Sequence, residues 1–434
     1  MNSRLYELYK QHPIITTDSR NCPEGSIFVA LKGASFDGNK FAQAALDKGC
    51  AYAVIDNPDY DKADGRHILV PDALVAYKEL AREHRRQFDI PVIGITGTNG
   101  KTTTKELVSA VLAERYCVMH TEANYNNDVG VPKTLLRLAP GHQIAVVEMG
   151  ASHPGDIKRL VDYVEPTCGL ITNVGRAHLQ GFGSFEGVMR TKGELYDYLQ
   201  AHDCLTFVDA ANPYLTEMAA CRNIAHTETY SADTARPADV VGRVVSSAPF
   251  LCFEWQTRGG GTFHRVQTHL IGTYNIANML AAITVGLHFG VEPARISHAL
   301  EAYVPSNNRS QLTVTAQNRL IVDAYNANPT SMRAALDNFA YMQVPHKMVI
   351  LGDMRELGEA SAEEHQRVVD HIAELGLTDV WLVGSEFAKT RCAYRKFADV
   401  GEVQAALAGH RPSDHYILIK GSNGIRLYEL PALL

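Results

Sequence analysis

The residues best equipped for chemistry in this chain stand in one short run, Thr96-Gly97-Thr98-Asn99-Gly100-Lys101-Thr102. Two glycines followed by a lysine and a hydroxyl are what closes on a phosphate. Gly97 and Gly100 let the backbone N–H groups, with those of Thr98 and Asn99, turn toward phosphate oxygens. Lys101 adds positive charge, and Thr102, with Thr103 behind it, places a hydroxyl where a phosphate-bound Mg²⁺ would sit. The run is preceded by an apolar stretch, Pro91 to Ile95, and followed by good helix formers from Lys105 to Glu114. That order of strand, loop and helix points a helix N-terminus at an anion. The match to GxxxxGK[ST] is incomplete, because position 95 is isoleucine and the nearest glycine, Gly94, lies one residue too early. The flanking elements favour a nucleotide site over a plain glycine-rich turn.

Other candidates lie at the ends of apolar runs. QIAVVEMG delivers Glu148 at a strand tip, where ATPases place a Mg²⁺-binding carboxylate; the alternative is a helix-capping glutamate. CGLITNVG leads to His178, a metal ligand or a structural histidine. A glycine-broken loop then opens a helix containing Lys192, which by itself reads as a solvated helix lysine. Asn275 and Asn278 stand one turn apart at the start of a further helix, for capping or for base recognition. The TTDSR stretch (Asp18, Ser19, Arg20) and the GASFDG stretch read as loops for turns and caps, or for an anionic or sugar-bearing ligand.

The elements that must position these residues fall into three α/β segments. The first, ending near residue 88, is a small unit of short strands and helices. From 90 to about 308, strands and helices alternate in βαβ rhythm, which predicts a mainly parallel sheet with the glycine-rich loop at its carboxyl edge. Residues 238–271 alternate and break at Gly259 to Gly261, so they read as antiparallel ribbons added to that sheet. Val304 to Arg309 (VPSNNR) reads as a linker, and the third segment has strands RLIVDAY, KMVILGD, DVWLVG and HYILIKG. Asp323, Asp353 and Lys420 fall at strand ends there. The expected domains are residues 1–88, 89–308 and 309–434.

Composition narrows the function classes. With 434 residues the chain exceeds one ordinary core, and 46% apolar with 21% charged residues suits a globular protein. A net charge of −7 without a Lys/Arg block argues against a nucleic-acid or anionic-membrane partner. The eight cysteines contain no CxxC pair, so neither a zinc knuckle nor a disulfide framework is indicated, and a reducing cytoplasm fits. The first residues lack an apolar signal core, and Met279 to Val291 is too short to span a bilayer. A cytoplasmic protein, acting as a monomer without stable membrane insertion, is expected.

Four segments carry a resemblance to the Mur ligase family: TGTNGKT; TEANYNNDVGVPKTLL (Thr121 to Leu136); NVGRAHLQGFGSFEGVMRTKGEL (Asn173 to Leu195); and DAYNANPTSM followed by LGDMRELG. The family's glycine-rich loop is the short form seen here. The resemblance implies a three-domain architecture: an N-terminal UDP-substrate domain, a central P-loop ATPase domain and a Rossmann-like C-terminal domain. It implies the member activity that joins D-alanyl-D-alanine to UDP-N-acetylmuramoyl-tripeptide with ATP and Mg²⁺ in cell-wall precursor synthesis. It further implies that Lys101 and Thr102 bind ATP phosphates and Mg²⁺, and that Glu148 and His178 bind metal. Lys192 takes the place of a lysine carbamylated by CO₂. Asn275 and Asn278 lie near adenine, Arg309 faces phosphate, Asp323 binds ribose, and Asn326 and Asn328 belong to the amino-acceptor side. Asp18, Ser19, Arg20, Asn126 and Asn127 fall on the substrate-binding loops. Two departures stand out: Tyr274 where histidine is usual, and Ala123 where glycine is usual.

Making an amide in water requires an activated carboxylate, so the expected reaction transfers the γ-phosphoryl of ATP to it and lets an amine displace phosphate from the acyl phosphate. The alternative within the family is the sister ligase that adds the third amino acid. It typically carries a DNPR motif in its C-terminal domain, and the only DNP here is Asp56 to Pro58. Folylpolyglutamate synthase, more distant, lacks the YNAN stretch. A GTP switch would want NKxD, whereas Asn39-Lys40 is followed by Phe41 and Ala42.

Overall fold

The computed structural model describes residues 2–33, 35–305, 311–409 and 411–434. Arg309, expected to face phosphate from the linker, lies outside the described residues.

Three sheets organise the chain. The first is parallel throughout, in the order β1 (Ile15–Thr16), β2 (Ile27–Val29), β3 (Tyr52–Ile55) and β4 (His67–Leu69). Phe28, Ala53 and Ile55 from its strands pack on Ala42, Ala45 and Leu46, the apolar stripe of the helix Ala42–Asp47. Asp72 caps the helix Ala73–Arg85 by accepting from the N–H of Val75 at 2.8 Å. A helix that the sequence reading did not assign, Asn2–Gln11, buries Leu5, Tyr6 and Tyr9.

The second sheet contains β5 (Val92–Thr96), β6 (Val118–His120), β7 (Ile144–Glu148), β8 (Cys168–Ile171), β9 (Leu205–Asp209), β10 (Thr227–Ser231), β11 (Val240–Ser246), β12 (Cys252–Thr257) and β13 (His264–Gln267). Its order is β13-β12-β11-β10-β9-β8-β5-β7-β6. Strands β8 to β11 pair in parallel, as do β6 and β7, while β11, β12 and β13 are antiparallel, the expected ribbons. Strands β5, β7 and β8 are buried along their whole length, which is why they read as unbroken apolar runs rather than alternating ones.

The third sheet has β14 (Gln311–Val314), β15 (Arg319–Asp323), β16 (Lys347–Gly352), β17 (Val380–Val383), β18 (Arg395–Phe397) and β19 (Tyr416–Lys420) in the order β14-β15-β19-β16-β17-β18. Only the β14–β15 pair is antiparallel. Alternation along β16 sends Val349 and Leu351 to one face, against Met332, Leu336, Val368 and Ile372 of two helices. Met348 and Ile350 go to the other face, against Val403, Leu407 and Leu427. A mostly parallel sheet covered on both faces is the Rossmann-like arrangement expected.

By contact density the chain divides into two compact units that do not follow the sheets. One comprises residues 1–94, 117–149 and 159–167, the other 95–116, 150–158 and 168–434. The division passes through β5, between Gly94 and Ile95.

Candidate functional site

The glycine-rich loop is built by its neighbours. Gly97 has φ +144°, and a Cβ there would lie 2.0 Å from Oγ1 of Thr172, so no other residue fits. Gly100, at φ +77°, precedes the helix Lys101–Ala113, and a Cβ there would meet Oδ1 of Asn278 at 2.7 Å. The helix thus begins at Lys101, one turn before the run of helix formers, so Lys101, Thr102 and Thr103 occupy its first turn. Cross-ties to the exit of β8 hold the loop open: the N–H of Asn99 donates to Oδ1 of Asn173 at 3.0 Å, and Thr172 Oγ1 donates to the carbonyl of Asn99 at 2.6 Å. Nζ of Lys101 folds back onto the carbonyls of Gly97 and Thr98 at 2.9 and 3.0 Å. Thr102 is buried.

Asn275 and Asn278 open the helix Asn275–His288 but are not its caps. Both are buried, and they form a relay behind the loop. Asn275 Nδ2 donates to the carbonyl of Ile271 at 2.8 Å, Asn278 Nδ2 to Oδ1 of Asn275 at 2.9 Å, and Thr104 Oγ1 to Oδ1 of Asn278 at 3.1 Å. Their amides therefore support the start of the Lys101 helix.

His178 sits in the left-handed region at φ 50°, ahead of the helix Phe185–Ala201, whose cap Ser184 accepts from the N–H of Gly187. Lys192 is 2% exposed on that helix, its Nζ 5.6 Å from the ring centre of Phe182, so it is no solvated surface lysine. The carboxylate of Glu356 lies against Nδ1 of His178. Burial, with the positive charges of Lys101 and Lys192, outweighs Glu356 and holds the His178 imidazole below the ordinary histidine range. Lys101, His178 and Lys192 thus share one electrostatic environment.

Loops of the third sheet meet this centre. Asn328 caps the helix Pro329–Tyr341 in a capping box with Ser331. Its Nδ2 donates to Oδ1 of Asn99 at 2.8 Å, and the N–H of Arg176 donates to Oγ1 of Thr330 at 3.1 Å. Asp323 is paired with the buried amine of Lys420 at 2.5 Å, and that amine also reaches the carbonyl of Asn326 at 3.4 Å. Asp353 is structural, accepting from the N–H groups of Glu386 and Phe387 at 2.9 Å each. Arg176, Thr330, Arg333, Glu364 and Arg367 are among the residues lining a cleft of about 380 Å³.

In the other compact unit, Glu148 is fully buried at the tip of β7 and caps no helix. Oε1 accepts from Nδ2 of Asn126 at 2.7 Å, while the buried Oε2 has no hydrogen-bond partner. A buried carboxylate oxygen left over in this way suits a cation. Asn127 serves the turn into the helix Gly130–Leu135, accepting from the N–H groups of Val129 and Gly130. Ala123 has φ 47°, a conformation glycine adopts without strain, which accounts for the family's usual residue there. Arg20 binds Asp18 through two nitrogens, each at 2.9 Å, and holds its carboxyl down to about 2. Lys48 donates to the carbonyl of Ser19 at 2.7 Å. Asp56-Asn57-Pro58 is a turn, with Asn57 accepting from the N–H of Asp59.

Sequence reasoning gave no role to Asn173, Thr330 or Glu356. All three lie inside segments that carried the resemblance, NVGRAH, DAYNANPTSM and LGDMRELG, and that was the available signal.

Comparison with known proteins agrees with this geometry. Residues 13–85 match the Mur ligase family catalytic domain, 95–286 the Mur ligase middle domain and 308–423 the Mur ligase glutamate ligase domain. A UDP-N-acetylmuramoyl-tripeptide--D-alanyl-D-alanine ligase of Synechocystis sp. is 35% identical over 421 residues, covering 95% of this chain and 90% of the relative. The crystal structure of MurF from Acinetobacter baumannii superposes with a TM-score of 0.88 at 31% identity, over 96% of this chain and 92% of that one. MurF ligase from Thermotoga maritima in complex with ADP superposes with a TM-score of 0.85 at 25% identity, over 97% and 96%. With its P-loop, its three sheets and this full-length similarity, the chain belongs to the Mur ligase family.

Proposed function

We propose that this chain joins D-alanyl-D-alanine to UDP-N-acetylmuramoyl-tripeptide, converting ATP to ADP and phosphate. The observation that carries the reading is the contact of Asn99 in the P-loop with Asn328 in the YNAN stretch, which sets the phosphate-binding loop beside the segment assigned to the amino acceptor. The tripeptide carboxylate takes the γ-phosphoryl of ATP. The amine of the dipeptide then attacks the acyl carbon, the C–O bond to phosphate breaks, and the amine's surplus proton is released. Lys101, once turned from the loop carbonyls, neutralises charge on the transferred group, and the apposed third-sheet loops keep water from the acyl phosphate. The sister reaction is disfavoured because the one DNP sequence forms a capped turn in the N-terminal segment.

Thr102, Glu148, His178 and a carbamylated Lys192 are the residues that would hold Mg²⁺, and the unpartnered Oε2 of Glu148 fits such a role. When bound, Mg²⁺ would supply positive charge to offset that of the phosphates. Among the described residues no three His, Cys, Asp or Glu side chains group into a metal site. Gly97 to Thr103 hold the phosphates, Asp323 the ribose, Asn275 and Asn278 the adenine side of the loop, and Arg309 a phosphate. Asp18, Ser19, Arg20, Asn126 and Asn127 lie on the UDP-substrate side, and Asn326 and Asn328 on the dipeptide side. Domain limits of 88 and 308, a monomeric state and a cytoplasmic location complete the reading; no described helix is long and apolar enough to cross a membrane.

Replacing Lys101 with alanine tests the ATP assignment. ADP formation should fall to background while the melting temperature is kept, because the lysine is only part-buried and removing it opens no core cavity. A folded variant with near wild-type turnover would overturn it.

A further inference from the structure

The carboxylate of Glu148 offers one oxygen to a cation because the other is already taken. Asn126 Nδ2 donates to Oε1 at 2.7 Å, while the buried Oε2 is left without a partner. Asn126 belongs to a tight turn. Its N–H donates to the carbonyl of Asn124 at 2.7 Å, and Asn127 accepts from the N–H groups of Val129 and Gly130. Gly130 packs so closely that a Cβ there would lie 2.4 Å from Cα of Tyr125. Two residues after Asn126, Asp128 meets Nζ of Lys78 at 2.8 Å. Lys78 stands on the helix Ala73–Arg85, outside every segment that carries the family resemblance. It is 5% exposed, with Nζ 5.6 Å from the ring centre of Tyr163. An ammonium buried to this degree keeps its counter-charge, because water cannot take that place. Arg159, half-exposed and 4.0 Å from the other oxygen of Asp128, is the more distant partner. All of these residues belong to one compact unit.

We propose that Lys78 is a positioning residue for the cation-binding carboxylate: it anchors Asp128, and the stiff turn between them keeps the amide of Asn126 on Oε1 of Glu148, leaving Oε2 for Mg²⁺. This rests on the metal role given to Glu148 under Proposed function. Mg²⁺ demands near-ideal ligand geometry, so a carboxylate fixed in rotation by an outer hydrogen bond binds it better than one free to turn. The helix that follows the first sheet thereby helps to set the metal carboxylate of the second.

Binding of Mn²⁺ in place of Mg²⁺ supplies the test. Its dissociation constant is read from the free-ion EPR signal, with the full chain in excess over a non-hydrolysable ATP analogue, and the affinity for that analogue is measured separately without divalent ion. Lys78→Met keeps the length of the side chain and leaves Asp128, more than a third exposed, free to turn to water. It should weaken Mn²⁺ binding about tenfold and leave the metal-free analogue affinity within about twofold of wild type. Asn126→Ala should weaken Mn²⁺ binding at least as much, and adding Lys78→Met to it should change nothing further, because the lysine acts through that amide. Asp128→Asn keeps the shape of the turn without its charge; it should give the same selective loss, and it decides the question where Lys78→Met does not fold. Wild-type Mn²⁺ affinity in folded Lys78→Met, equal losses of Mn²⁺ and analogue, or additive losses in the double variant would overturn the proposal. Failure of the functional reading looks different: the wild-type chain would bind Mn²⁺ no more tightly than Glu148→Gln, and the role of Lys78 would fall with it.

Discussion

Asn328 Nδ2 donates to Oδ1 of Asn99 at 2.8 Å while Asn328 Oδ1 caps its own helix by accepting from the N–H of Ser331 at 2.9 Å. One side chain therefore starts the first helix of the third sheet and ties it to the P-loop, joining residues far apart in sequence.

The two duties can be separated by substitution. Serine is as good a helix cap as asparagine but too short to reach Asn99, so Asn328→Ser should keep stability within about 0.5 kcal/mol and lower ADP release about tenfold. Asn328→Ala loses the cap as well and should cost about 1 kcal/mol in addition. Calorimetric melting beside steady-state kinetics checks both; full activity in Asn328→Ser would dissociate the contact from catalysis.

Lys192 can be tested through its proposed carbamate. Lys192→Ala should be nearly inactive and partly restored by short carboxylic acids, which return anionic oxygens to the cavity left by the side chain. Full activity of Lys192→Ala without added acid would remove it from the metal site.

Ala123 offers a stability prediction. Held at φ 47°, it should be improved by glycine, and Ala123→Gly is expected to add about 0.5–1 kcal/mol with unchanged kinetics. A fall in melting temperature would contradict the strain argument.

His84 predicts a pH dependence. It is buried, with Nε2 donating to the carbonyl of Leu138 at 2.9 Å and Nδ1 accepting from the hydroxyl of Tyr6 at 3.3 Å. Burial holds its pKa below the ordinary 6.5, although the bond to Leu138 opposes this. The native state thus prefers neutral His84, and the stabilisation is complete above the unfolded pKa and lost as pH falls below it toward the folded value. Melting temperatures across that window should show a shallower decline in His84→Gln than in wild type; parallel curves would contradict the assignment.

Much of this site was legible in the sequence because glycine and lysine carry their reasons with them. Gly97 and Gly100 are required by positive φ and close contacts, and the unbroken apolar runs of β5, β7 and β8 announce strands buried on both faces. Side-chain direction was not legible. Asn275 and Asn278 fit a cap or a base contact equally well by spacing, and only the packed helix shows their amides turned to Ile271 and Thr104. The Asn2–Gln11 helix was missed because three buried residues among polar ones make a weak stripe.

The central claim is most directly tested by ADP release from ATP with a panel of amines. With UDP-N-acetylmuramoyl-tripeptide, D-alanyl-D-alanine should support turnover, and diaminopimelate or lysine should not. Turnover of a single diamino acid with the UDP-dipeptide, together with none from D-alanyl-D-alanine and the UDP-tripeptide, would contradict the account and identify the sister reaction instead.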